Sequence, residues 1–214
     1  SKTERYLKKI KPDFVIIAAA RVGGILANDK YQADFIHQNL VIQSNLIHSS
    51  FISGVKKLVF LGSSCIYPKF SKQPIKEDYL LSGKLEKTNE AYSIAKIAGI
   101  KMCEAYNNQY GLDYLCLMPT NLYGPNDNYH LQNSHFFPAL IAKIYQAKIN
   151  RKKSIELWGN GKAKREIMYV DDLANACEFF LKNRVRNSLI NIGSGHEDTI
   201  ENYAKFIMKK LDVD

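Results

Sequence analysis

The feature that most restricts this chain is an alternation. Short apolar runs at 13–20, Lys57–Gly62 and Tyr114–Met118 are separated by two segments of twenty-odd residues whose apolar side chains recur at helical spacing. In the first segment, Tyr31–Ser53, the apolar positions are Phe35, Ile36, Leu40, Ile47 and Phe51, and Gly54 follows as a natural helix stop. The second, Asn89–Tyr110, is closed in the same way by Gly111. Unbroken apolar runs of this length suit strands buried on both faces, as in parallel sheets covered by helices. The order strand, helix, strand, helix, strand predicts an α/β fold with a doubly wound parallel sheet. Thr3–Lys11 reads as a helix tail leading into the first strand.

After Pro125 the texture changes to a polar loop reaching Asn133, a helix at about 134–149, short strands near 154–158 and 166–169, a helix at 171–183, a strand at 188–192 and a last helical stretch. This suggests a main unit over 1–125 and a second, smaller lobe over 126–214 assembled on the edge of the sheet and interleaved with it, with a cleft between the two as the default place for a ligand. A dinucleotide-binding sheet normally opens with a strand and a G-x-G-x-x-G turn. Here the glycines begin at Gly23, and neither Gly159-x-Gly161 nor Gly193-x-Gly195 completes that pattern. Either the fold binds no dinucleotide or its first β-α units are missing from this sequence.

With 214 residues, 46% of them apolar, the chain can bury a substantial core, which excludes intrinsic disorder. A net charge of +9 favours acidic partners, whether nucleic acid, anionic lipid or a phosphorylated small molecule. Cys65, Cys103, Cys116 and Cys177 form no C-x-x-C pair, so neither a metal centre nor a disulfide scaffold is expected, and the setting reads as reducing and cytoplasmic. The longest apolar run, Phe14–Ala20, is far shorter than the roughly 20 residues that span a bilayer, so no membrane span is expected.

Chemistry concentrates at Tyr92-Ser-Ile-Ala-Lys96, near the start of the helix at 89–110. A four-residue separation puts the phenol and the ammonium on one helix face, and a neighbouring cation favours phenolate, lowering the tyrosine pKa toward the range of a working proton donor or acceptor. Gly62-Ser63-Ser64-Cys65 follows a buried strand, at the carboxyl edge where open α/β sheets hold their ligands. A Ser63 hydroxyl beside the Tyr92 phenol would complete a Ser-Tyr-Lys set able to stabilise charge developing on a carbonyl oxygen during hydride transfer.

With these residues in place the chain resembles the extended short-chain dehydrogenase/reductases, over essentially its whole length. The matching segments are Ala18-Ala-Ala-Arg-Val-Gly-Gly-Ile25, Leu61-Gly-Ser-Ser-Cys-Ile-Tyr-Pro68, the stretch from Asn89 to Lys101, Met118-Pro-Thr-Asn-Leu-Tyr-Gly-Pro125, Asn133-Ser-His135, Trp158-Gly-Asn-Gly161 and Arg165-Glu166. The narrowest of them resemble members that epimerise C3 and C5 of GDP-4-keto-6-deoxy-mannose and then reduce its C4 ketone with NADPH. The resemblance implies a Rossmann sheet and catalytic roles for Ser63, Cys65, Tyr92, Lys96 and His135. Cys65 would remove the C3 and C5 protons, with Lys96 and His135 supplying its electropositive setting, and His135 would return a proton on the opposite face. Lys96 would hold the nicotinamide ribose. Contacts with NADP(H) are implied at Leu61, Gly62, Ser63, Ser64, Lys96, Pro119, Thr120, Asn121, Leu122 and His135, and contacts with the GDP-sugar at Lys143, Trp158 and Arg165. Arg165 would pair with the diphosphate. The family also implies a homodimer formed through the helices at 31–53 and 89–110.

Against that pattern the chain begins late and ends early: the first strand, its phosphate-cradling turn and the adenosine-ribose strands are absent, so turnover by this chain alone is not expected. Two other readings remain open. One is a different epimerase, dehydratase or reductase of nucleotide sugars that keeps NAD tightly bound. The other is a basic nucleic-acid-binding module, although lysines and arginines are dispersed and no recognition motif appears.

Overall fold

A computed structural model describes residues 1–131, 133–157 and 159–213. The chain opens with α1 (Lys2–Ile10), whose first turn is fixed by a reciprocal cap between Ser1 and Glu4. Strand β1 (Phe14–Ile17) is followed by two helices, α2 (Ile25–Lys30) and α3 (Gln32–Ile52). Then come β2 (Lys57–Leu61), α4 (Glu90–Tyr110) and β3 (Asp113–Pro119). Gly54 and Gly111 take left-handed conformations, φ 81° and 65°, which a side chain would strain, and these stop α3 and α4 where the sequence predicted.

The remainder comprises β4 (Asn121–Tyr123), α5 (Phe136–Ile149), β5 (Lys164–Tyr169), α6 (Val170–Lys182), β6 (Leu189–Ile192), β7 (Glu197–Thr199) and α7 (Ile200–Lys210). The main sheet runs β1-β2-β3-β6, parallel throughout, with Val59 paired to Leu115 and Met118 to Asn191. Strand β6, late in the chain, thus returns to the sheet begun by β1–β3. The smaller sheet runs β4-β5-β7, with β4 and β5 parallel and β5 and β7 antiparallel.

Strand alternation distributes the core. Leu58, Phe60, Cys116 and Met118 project to one face, into a cluster with Ile47, Ile97, Ile100 and Cys103 of α3 and α4. Val59 and Leu117 project to the other, against Leu173 and Cys177 of α6. Both faces of β2 and β3 are therefore covered, as the unbroken apolar runs required. The second lobe has its own centre in Phe137, Leu140 and Ile144 of α5 packed against Tyr203, Ala204 and Ile207 of α7.

Three expectations need correction. The strand expected at 154–158 does not form over 154–157: Ile155 and Leu157 contribute apolar surface to the α5–α7 cluster without joining a ladder. The first strand is shorter than 13–20, because Ala18–Ala20 leave the sheet once Ile17 has paired with Phe60. The helix expected from Tyr31 is preceded by the separate α2, directly after Gly23-Gly24. Among the described residues no helix is long and apolar enough to cross a membrane.

Candidate active site

The site is built where β2 and β3 end. Leu61 closes β2, and Gly62 donates its N–H to the Leu117 carbonyl at 2.9 Å, so this backbone hugs the next strand. A side chain at Gly62 would lie 2.2 Å from Cε of buried Met118. Ser63 is extended and caps the single 3-10 turn Ser64–Ile66, its Oγ accepting from the Cys65 N–H at 3.3 Å. Buried Ser93 donates to the Cys65 carbonyl at 2.9 Å, fastening α4 to this turn. Ser93 was not singled out from the sequence; its place between Tyr92 and Lys96 on a helix facing the turn was the available signal.

Tyr92 and Lys96 share the α4 face, as their spacing predicted. The Lys96 ammonium lies 5.8 Å from the centroid of the Tyr92 ring and 4.7 Å from that of Phe60. Its hydrogen bond, however, goes to the Leu61 carbonyl at 2.8 Å. Burial drives its pKa down to about 8, opposed by the Cys116 thiol. Tyr92 departs from the sequence expectation: burial and the Cys65 thiol push its pKa above the ordinary phenol value, and only a hydrogen bond with Ser63 pulls it back. In this structure the phenol is held protonated by its surroundings rather than made acidic by Lys96.

Cys65 is half-buried, whereas Cys103, Cys116 and Cys177 are buried. Burial raises its pKa; the Ser63 hydrogen bond and the charge of Arg165 lower it. The cation that acts on Cys65 is thus Arg165, on β5, instead of Lys96 or His135 as expected; the Lys96 ammonium is turned to the Leu61 carbonyl. Ser63 acts on both acids, its hydroxyl lowering the pKa of the Cys65 thiol and of the Tyr92 phenol. A thiol, a phenol and a hydroxyl are therefore neighbours at the end of β2.

His135 caps the N-terminus of α5 with extended dihedrals, φ −65° and ψ 162°. Loss of water around its ring lowers its pKa, and Asp127 opposes that shift. Pro119 ends β3; Thr120 donates its N–H to the Ile192 carbonyl at 3.0 Å, Asn121 bonds the Glu166 carbonyl at 3.0 Å, and Leu122 pairs with Met168. Arg165 is half-buried, with Nη1 donating to the Lys164 carbonyl at 2.7 Å, and Lys143 reaches the Glu156 carbonyl at 3.4 Å. Trp158 lies outside the described residues.

At the carboxyl side of β1 a pocket of about 400 Å³ is lined by Ala20, Arg21, Val22, Tyr31, Phe35 and Asn133. Phe35 meets the Tyr92 ring edge-on at 6.3 Å, so this pocket adjoins Tyr92. Arg21 was missed from the sequence. Its guanidinium stands 5.4 Å from the Phe35 ring centroid and 3.3 Å from Asp34.

Residues 1–193 match the NAD dependent epimerase/dehydratase family. The chain belongs to that family. Among epimerase/dehydratase relatives, GDP-L-fucose synthase 1 of Arabidopsis thaliana is 55% identical over 204 residues, which cover 95% of this chain and 63% of the relative. GDP-L-fucose synthase of Sinorhizobium fredii is 53% identical, covering 96% and 66%. The chain thus spans just under two thirds of the length of these relatives. A GDP-D-glycero-L-gluco-heptose synthase from Campylobacter jejuni, solved in the presence of NADPH, superposes with a TM-score of 0.91 at 35% identity, covering 99% of this chain and 74% of that one. The Rossmann-type sheet of an extended epimerase/reductase is therefore shown for this chain.

Proposed function

We propose that this chain carries the catalytic centre of a GDP-L-fucose synthase, which converts GDP-4-keto-6-deoxy-D-mannose to GDP-L-fucose by epimerising C3 and C5 and then reducing C4. The observation that carries the reading is the fastening of α4, which bears Tyr92 and Lys96, to the Ser63–Cys65 turn through the Ser93 hydrogen bond to the Cys65 carbonyl at 2.9 Å. Protons beside a ketone become acidic only when the resulting enolate is stabilised, and two hydroxyls directed at one oxygen supply that stabilisation. The Cys65 thiolate takes the C3 or C5 proton while Ser63 and Tyr92 hold O4, and His135 returns a proton on the opposite face. No net oxidation occurs in this half.

For the second half NADPH, when bound, supplies a hydride to C4. Tyr92, kept protonated by burial, donates its proton to O4. The residues present fit such a cofactor: Thr120 Oγ1 is buried with no hydrogen-bond partner among the described residues, in the turn where the nicotinamide half would lie. Leu61–Ser64, Lys96, Pro119–Leu122 and His135 would hold it. Arg165 and Lys143 would face the GDP diphosphate, together with Trp158 for the sugar nucleotide.

The partner in solution is a second copy, paired through α3 and α4, where Val41, Ile52, Ile94 and Tyr110 are exposed. Four free thiols suit a reducing cytoplasm. The test is an assay of the protein as its gene encodes it, with NADPH and the keto sugar in D₂O. GDP-fucose bearing deuterium at C3 and C5 is expected, and Cys65→Ser should stop exchange yet spare reduction of an already epimerised ketone. Reduction without exchange in the unchanged protein would instead identify a simple C4 reductase.

A further inference from the structure

The Val22-Gly-Gly-Ile25 segment has no role in the chemistry above, yet it touches the chain just before His135. Gly24 donates its N–H to the Asn133 carbonyl at 3.0 Å. A Cβ placed on Gly24 would stand 2.3 Å from the Ser134 carbonyl oxygen and 3.2 Å from its carbon. The conformation of Gly24, φ −68° and ψ −179°, is open to any residue. As the N-cap of α2 it would be better served by Ser or Asn, whose side chains bond the helix start. What demands glycine here is therefore the close approach of two backbones.

Neither backbone can easily retreat. On one side Asn28, buried in α2, donates to the Gly23 and Gly24 carbonyls at 2.7 and 3.1 Å. A Cβ on Gly23 would meet Ala27 Cβ at 3.0 Å and Phe35 Cζ at 3.2 Å. On the other side, buried Ser134 donates through both its N–H and its Oγ to the His130 carbonyl, at 3.1 and 2.6 Å, and Asn133 donates to His130 Nδ1 at 3.2 Å. The next residue is His135, whose carbonyl accepts the first helical bond of α5 from Ala139 at 3.1 Å. The imidazole thus springs from a point fixed by the clamp in front and the helix behind.

We propose that Gly23-Gly24 and Asn28 form a positioning element for His135: the bare backbone of Gly24, braced by the Asn28 amide, sets where the imidazole stands. The inference rests on the reading of His135 as the acid of epimerisation. A misplacement of about 1 Å in a reacting group can cost on the order of 10²-fold in rate. The loss should fall more heavily on proton return, in which His135 is the acid, than on reduction, in which it is one of several cofactor contacts beside the Ser63, Tyr92 and Lys96 set.

The experiment compares Gly24→Ala and Asn28→Ala with the unchanged protein in two assays, deuterium incorporation at C3/C5 and reduction of the already epimerised ketone. His135 ring signals are followed in parallel by NMR. Gly24→Ala should lower exchange on the order of 10²-fold while reduction, through the cofactor contact of His135, falls by less than about tenfold, and the His135 signals should shift. Asn28→Ala, which adds no bulk, should show the same split more weakly and serves if Gly24→Ala does not fold. Equal losses in both assays, or unmoved His135 signals, overturn the proposal. An unchanged protein that reduces the ketone but exchanges no proton overturns the functional reading beneath it, and the inference with it.

Discussion

The ammonium of Lys96 is tied to the Leu61 carbonyl at 2.8 Å and stands over the Tyr92 ring, 5.8 Å from its centroid. Lys96 is 3% exposed, and its burial lowers its pKa from 10.5 to about 8. Between those two values the unfolded chain binds the extra proton, so unfolding takes one up and stability rises with pH. Below about pH 8 the full cost of the buried cation is present; it is relieved as pH rises toward the unfolded value. Urea melts of the wild type and Lys96→Met at pH 7 and pH 10.5 should show the wild type gaining about 3 kcal/mol relative to the variant. A difference that does not change with pH would mean that the cation is not desolvated.

Tyr92→Phe removes only the hydroxyl that Ser63 engages. The ring keeps its edge-on contact with Phe35, so folding should lose only about 1 kcal/mol, the net worth of one hydrogen bond. Ketone reduction should fall about 10²- to 10⁴-fold, the usual share of a positioned proton donor. The paired measurements are a thermal melt and the rate of NADPH consumption. A variant that melts normally and still reduces at the wild-type rate removes Tyr92 from the mechanism.

Arg165 is the charge that lowers the Cys65 pKa. Neutralising it in Arg165→Gln should move the midpoint of Cys65 alkylation by iodoacetamide to higher pH. Ser63→Ala should act in the same direction by deleting the hydrogen bond to the thiol. The other three cysteines are buried, so mass spectrometry should find the first label on Cys65. An unchanged midpoint in both variants would mean that the thiol is governed by burial alone.

What could be read from the sequence followed from burial. Strands β2 and β3 are covered on both faces, so their apolar runs are continuous, and α3 and α4 are long enough for their period to show. Strands β4 and β7, three residues each, are too short for any period, and the six-residue α2 is hidden behind two glycines. Ile155 and Leu157 look like strand residues because they are apolar, yet their burial is satisfied by α5 and α7 without a ladder. Spacing put Tyr92 beside Lys96 correctly but could not say where the ammonium would donate, since the Leu61 carbonyl belongs to another element. That Arg165 acts on Cys65 brings together residues 100 apart in sequence, one on β5 of the smaller sheet and one in the turn after β2 of the main sheet, and no local period announces it.

The loop after β6 supplies a last test. Gly195 donates its N–H to Glu166 Oε1 at 2.7 Å and Ser194 Oγ lies 3.4 Å from the same oxygen, so one carboxylate gathers the 193–195 turn. A Cβ on Gly193 would be 2.2 Å from that oxygen and 3.1 Å from Cγ2 of Thr120, in the turn assigned to the cofactor. Gly193→Ala should therefore destabilise by about 1–3 kcal/mol through overcrowding. Glu166→Ala should cost about 1.5–3 kcal/mol by removing a charge-assisted bond. In the double variant the added methyl enters the space that the carboxylate vacated. The two costs should then fall short of their sum by at least about 1 kcal/mol in denaturant melts of the four proteins. Strict additivity would mean that the turn does not lean on Glu166, and that Thr120 is held in place by the β3–β6 ladder alone.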